Sequence, residues 1–264
     1  MSDRLEFLLW IAVPYAAFAV FVTGHFWRYR RDQLGWSARS TQLLERRLLR
    51  LGSLSFHLGM LAVLGGHVLG ILVPASWTRG LAIDDSVYHA MSATGGMLFG
   101  AAMLFGFGVL AYRRTRTPRV AATTTRTDRL TYLVLGTAIL TGMLATTGWN
   151  VFGSGYEYRD TVAPWFRGLG LLAPDPALMS NAPLLFQVHA MSTVALFALW
   201  PFSRLVHAWS VPIVYLVRSP IVYRRRLTRR RVPGASGYVR DHYISPRLRG
   251  ERGEPVESRP RDLV

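Results

Sequence analysis

Five of the seven histidines, His57, His67, His89, His189 and His207, fall in or beside long hydrophobic runs, whereas His25 ends such a run and His242 lies in a polar tail. An ionisable side chain in hydrocarbon is costly unless it is paired, so its presence there points to a task. An imidazole at that depth can hydrogen-bond a neighbouring helix, relay protons, or ligate a metal through its basic nitrogen. Spacing favours the third use. On a helix, the ten residues from His57 to His67 span roughly 15 Å and about 80° of the wheel, and the eighteen from His189 to His207 span roughly 27 Å and five full turns. Each pair therefore faces one side of its helix. The chain has no cysteine, which excludes thiolate zinc sites, iron–sulfur ligation, thioether-linked haem and disulfides.

The elements that position these histidines are set by length and charge. Five apolar stretches, about Leu5–Trp27, Leu51–Pro74, Val87–Tyr112, Leu130–Phe152 and Pro183–Val217, each reach the roughly 20 residues needed to cross a bilayer. The expected fold is an all-α membrane bundle of about five transmembrane helices. Asp3, Arg4 and Glu6 precede the first stretch and Arg28, Arg30 and Arg31 follow it, which reads as a retained helix rather than a secretory leader. All 31 basic residues are arginine. They cluster in Arg28–Arg50, in Arg113–Arg129 and in the tail from Arg218, while the other connections carry few. The positive-inside rule then places the N-terminus outside and the C-terminus in the cytoplasm. Arginines beside helix ends fit anionic headgroups or an acidic partner face, not nucleic acid. The expected organisation is a membrane domain over 1–226 and a basic, disordered tail over 227–264, rich in Arg, Gly, Pro and Ser.

With this topology the second stretch runs outward and the fifth runs inward. Depth matching pairs His67 with His189 near the outer surface and His57 with His207 near the inner one. Opposed imidazoles at two depths suit two b haems, each with iron bound on both faces and no open position, which makes an electron carrier. The unequal rises call for a bend, and Pro201 lies between the fifth-stretch histidines. Gly52, Gly59, Gly65, Gly66, Gly70, Gly95, Gly96 and Gly100 could wall a macrocycle or simply allow close helix packing. Arg204, three residues before His207, is expected to pair with a propionate of the inner haem.

Three segments resemble the gamma subunit of the membrane-bound respiratory nitrate reductase: FHLGMLAVLGGHVLG at Phe56–Gly70, TPRVAATTT at Thr117–Thr125, and HAMSTVALFALWPFSRLVHAWSVPIVYL at His189–Leu216. The resemblance spans about Pro14 to Tyr223. It implies a dihaem cytochrome b in the cytoplasmic (inner) membrane of a bacterium. Such a subunit oxidises menaquinol or ubiquinol at the outer side. It passes electrons inward to an iron–sulfur beta subunit and a molybdenum-containing alpha subunit that reduces nitrate in the cytoplasm. The family's ligand positions fall on His57 and His207 for the inner haem and on His67 and His189 for the outer. Its quinol site falls on Gly66 and His67. Some members place a lysine before the third helix; here Val87, Tyr88 and His89 occupy that region, and His89 is expected to take the basic role toward a quinol oxygen or an outer haem propionate.

Two other readings fit the histidines. A related dihaem cytochrome b could serve another cytoplasmic reductase, for sulfur compounds or heterodisulfides. A haem-free anchor or transporter could use the histidines as a proton relay, although the five stretches hold almost no carboxylate to partner them; Asp84 and Asp85 sit at an outer helix end.

Overall fold

A segment in lipid has no water to satisfy its backbone, so an apolar run of this length closes its N–H and C=O groups within one helix. The computed structural model describes residues 3–32, 35–153 and 155–210, together with the backbone of 230–231 and 238–239. The spans are α1 (Asp3–Arg31), α2 (Arg47–Leu72), α3 (Asp85–Arg116) and α4 (Arg126–Val151), then, after the short α5 (Val162–Gly170), α6 (Leu184–Phe202). Several run past the apolar stretches into arginine-bearing turns such as Arg28–Arg31 and Arg113–Arg116. Large apolar side chains, among them Phe18, Leu58 and Leu133, face outward, as a bundle solvated by lipid requires.

α2 packs along α3, α3 touches α4, and α6 lies against α4 and α1. Small residues make the first contact close: a Cβ at Gly59 would lie 2.5 Å from the backbone N of Met103, and one at Gly106 would lie 2.7 Å from the carbonyl of Gly52. Gly52 and Gly59 therefore serve helix packing. At Gly65, Gly66 and Gly95 a Cβ would meet nothing within 4 Å among the described residues, so these glycines border open space there. α2 and α6, which carry His67 and His189, are not among the closely packed helix pairs of the described residues.

The fifth span departs from expectation. Its α-helix ends at Leu199, Trp200–Phe202 form a 3-10 turn, and Ser203 is extended at φ −111° and ψ −179°. A separate 3-10 segment, Arg204–Ser210, carries His207. Proline has no N–H to give and its ring crowds the preceding turn, so the chain breaks at Pro201 where a bend was expected. His189 and His207 thus do not share one helical face. The rest of the expected stretch, 211–217, lies outside the described residues.

The connection between α4 and α6 packs against the bundle. α5 buries Trp165 edge-on against Trp10, with ring centroids 5.8 Å apart, and the Trp165 indole N–H donates to the Trp10 carbonyl at 2.9 Å. Met179 and Ala182 complete this cluster, which caps the end of the bundle opposite the arginine-rich turns. Contacts divide the chain into Met1–Val211 and Pro212–Val264. The expected tail, 227–264, lies outside the described residues except for an antiparallel pairing of Arg230 with Val239 and Arg231 with Tyr238.

Candidate functional site

The ring centroids of His67 and His189 lie 6.0 Å apart, as do those of His57 and His207. A metal–imidazole bond of about 2.0 Å plus about 1 Å from nitrogen to ring centre, taken on both faces, gives about 6 Å for two histidines on one metal ion. In all four rings Nδ1 meets a backbone carbonyl: His57 that of Ser53 at 2.7 Å, His67 that of Val63 at 2.8 Å, His189 that of Ala138 at 2.9 Å and His207 that of Arg204 at 2.6 Å. A carbonyl only accepts, so Nδ1 carries the proton and Nε2 is the basic nitrogen. This is the tautomer that a metal-ligating imidazole needs. The described residues contain no group of three or more metal-ligating side chains. A bare ion would be under-coordinated there, whereas a macrocycle bringing its own four nitrogens needs only an axial pair. The residues fit haem.

His67 and His189, the pair expected nearer the outer surface, rest on regular helix. His189 sits beside Gly142 of α4, where a Cβ would stand 2.9 Å from the imidazole Cε1. Glycine at 142 therefore makes room for this ring, a role that required the register between α4 and α6 to be seen. Immediately after His67 the helix widens into a π-helical turn, Val68–Leu72, a feature common at functional sites. The rings of this pair are inclined by 30°.

His57 and His207, the pair expected nearer the inner surface, are inclined by 75°, and their setting depends on charge. Arg28, only 7% exposed, donates to the carbonyls of Pro201 at 2.6 Å and Ser203 at 2.9 Å, and to that of Gly35 at 2.8 Å. It thereby satisfies acceptors exposed by the break in the fifth span. Arg204 does not point its charge at an open acceptor site, as expected for a propionate partner. Its Nε and Nη2 fork onto Asp128 at 2.6 and 2.9 Å, and Nη1 and Nη2 also reach the carbonyls of Arg39 and Thr123. Asp128 in turn closes a capping box with Thr125 at the start of α4. Arg113, 2% exposed, holds the preceding loop through Glu45 at 2.6 Å and Thr41 at 2.9 Å. These arginines brace loops inside the protein rather than meeting headgroups. Arg204 thus ties Pro201–Ser210 both to the start of α4, through the Asp128 ion pair, and to Thr117–Thr125, through the Thr123 carbonyl.

The family described as nitrate reductase gamma subunit matches residues 6–226. The chain belongs to this family. The nitrate reductase gamma chain of Bacillus subtilis (strain 168) is 44% identical over 219 residues, covering 83% of this chain and 98% of that relative. The respiratory nitrate reductase 1 gamma chain of Escherichia coli (strain K12) is 34% identical over 214 residues, covering 81% and 94%. The nitrate reductase-like protein NarX of Mycobacterium tuberculosis (strain ATCC 25618 / H37Rv) is 46% identical over 227 residues, and the match spans only 35% of its length.

In this gamma-subunit family member, Gly66 and His67 lie exposed on α2. His89 stands apart on the first turns of α3. It borders a cavity of about 10 Å³ with Tyr88, Ser92, Asn150, Glu157 and Tyr158, room for about one water. Tyr158 links the two places, because its hydroxyl abuts Gly70, one turn beyond His67. Gly142 carried no signal in the sequence; a glycine marks a site only through its neighbours.

Proposed function

We propose that this chain is the quinol-oxidising cytochrome b subunit of a respiratory nitrate reductase in the bacterial cytoplasmic membrane, with two haem b groups as cofactors. Quinol is oxidised at the outer side, and electrons move inward to an iron–sulfur beta subunit and a molybdenum-containing alpha subunit that reduces nitrate. The observation that carries this reading is the pair of histidine couples, each with ring centroids 6.0 Å apart and each ring donating Nδ1–H to a backbone carbonyl. Family membership supports the assignment to nitrate reductase.

His67 and His189 would hold the outer haem, and His57 and His207 the inner. The haems, when bound, supply one-electron transfer at two depths. Nδ1–H bonds to carbonyls fix each imidazole's orientation and raise its basicity as a ligand. Gly66 and His67 provide the exposed approach for quinol, and His89, a basic group beside a water-sized cavity, would take up a quinol proton on the outer side. With the N-terminus outside, as the arginine placement argues, protons leave outward while electrons go inward, which charges the membrane.

The test is a reduced-minus-oxidised spectrum of the complex. Menaquinol or ubiquinol should produce b-type bands, and nitrate should abolish them. Absence of b-type bands would overturn the cytochrome reading in favour of a haem-free anchor or transporter. Bands that quinol reduces but nitrate leaves untouched would point to another reductase.

A further inference from the structure

We infer that Arg46 and Arg50 form the seat for the carboxylate groups of the inner haem, the role first expected of Arg204; the inference rests on the function proposed above. Arg204 is committed to Asp128. Arg46, Arg50 and His57 instead line one groove of about 470 Å³ together with Gln42, Leu49 and Leu54, a volume in the range of cofactor sites.

The positions follow from helix geometry. Arg46 caps the start of α2, and Arg50 and His57 follow at intervals of four and seven residues, so the three fall on one helical face. Arg50 lies roughly 10 Å and Arg46 roughly 16 Å from His57 along the axis. Leu49 and Leu54 offer the groove an apolar wall for a flat ring, and the guanidinium groups stand at its arginine-rich end. Arg28, Arg113 and Arg204 all spend their donors on protein acceptors. By contrast, the side chains of Arg46 and Arg50 meet no acceptor among the described residues and are exposed. A macrocycle on His57 with its carboxylates toward the aqueous end would meet two planar donors suited to bidentate pairing. A positive charge beside the haem stabilises the reduced form, so these arginines would raise the inner haem's potential.

The experiment is a redox titration of both b-type bands in the intact complex, in native membranes. R46Q/R50Q should shift the inner haem to lower potential, with about a tenfold change in its oxidised-to-reduced ratio at a fixed potential, about 59 mV for one electron. The outer haem should not move. R46K/R50K should keep most of the wild-type potential, and R47Q, which removes a neighbouring charge outside the groove, should change nothing. Selective loss of the inner haem in R46Q/R50Q but not in R46K/R50K would equally support the inference. An unchanged inner potential, an equal shift in R47Q, or loss of haem in the lysine variant would overturn it. If an anionic lipid occupied the groove, R46Q/R50Q would lose bound phospholipid with no change in potential, which also overturns it. Each of these failures leaves two b-type bands in the wild type, whereas failure of the proposed function removes them.

Discussion

The outer and inner histidine pairs have the same 6.0 Å spacing and reach it by different means. The outer pair hangs on two continuous helices, α2 and α6, with Gly142 clearing space for His189. The inner pair joins α2 to a short 3-10 segment beyond a break, held by Arg28 on the Pro201 and Ser203 carbonyls and by Arg204 on Asp128. One site is a product of helix packing, the other of a buried polar network. Such networks fail more abruptly when one member is removed.

That contrast can be broken most severely at Asp128. Asp128→Ala leaves the Arg204 charge without its partner and removes the α4 capping box, at a cost of about 3 kcal/mol or more. The inner haem should be lost and the outer retained, read as a halved haem content and one surviving b-type band. Arg28→Leu comes next. It leaves buried carbonyls without a donor, at about 1–3 kcal/mol per unsatisfied group. The expected result is a lower thermal midpoint and a weakened inner-haem band beside an unaltered outer one.

The reciprocal change is Gly142→Val, which crowds the His189 ring at a cost of about 1–3 kcal/mol. It should shift only the outer haem's spectrum and potential. If it moved both haems equally, the two sites would not be separately built. The smallest effect concerns pH. Burial raises the Glu45 carboxyl's pKa, but hydrogen bonds from the Leu48 and Leu49 amides and from Arg113 outweigh it and hold the group below its ordinary value. A depressed carboxylate stabilises the fold above its unfolded pKa, and that contribution is lost as pH falls through the folded one. Acid should therefore loosen the Arg113-braced inner end first. Glu45→Gln should flatten that dependence in a thermal-melt series between pH 6 and pH 3.

The five spans and their histidines were legible because lipid imposes length and apolarity on any crossing helix. The pairing of depths followed from arginine placement alone. The inner architecture was not legible, because wheel arithmetic from His189 to His207 assumes a continuous helix and Ser203 is extended. Pro201 marked a bend but carried no sign that Arg28, distant in sequence, would cover the exposed carbonyls. Asp128 falls in the arginine-rich stretch Arg113–Arg129 and carried no signal of its own there, yet it is 5% exposed and serves Thr125 and Arg204 together. The glycines of α2 divided between packing at Gly52 and Gly59 and open space at Gly65 and Gly66, a distinction that only neighbours can make.

The central claim is that two separately built histidine pairs each hold one haem, and haem content across single ligand variants tests it most directly. Purified wild-type complex should contain two b haems per copy of this chain. His67→Leu should retain one, with the potential of the inner haem, and His207→Leu should retain one, with that of the outer. Wild-type protein without haem, or a single variant that removes both haems or neither, would contradict the account.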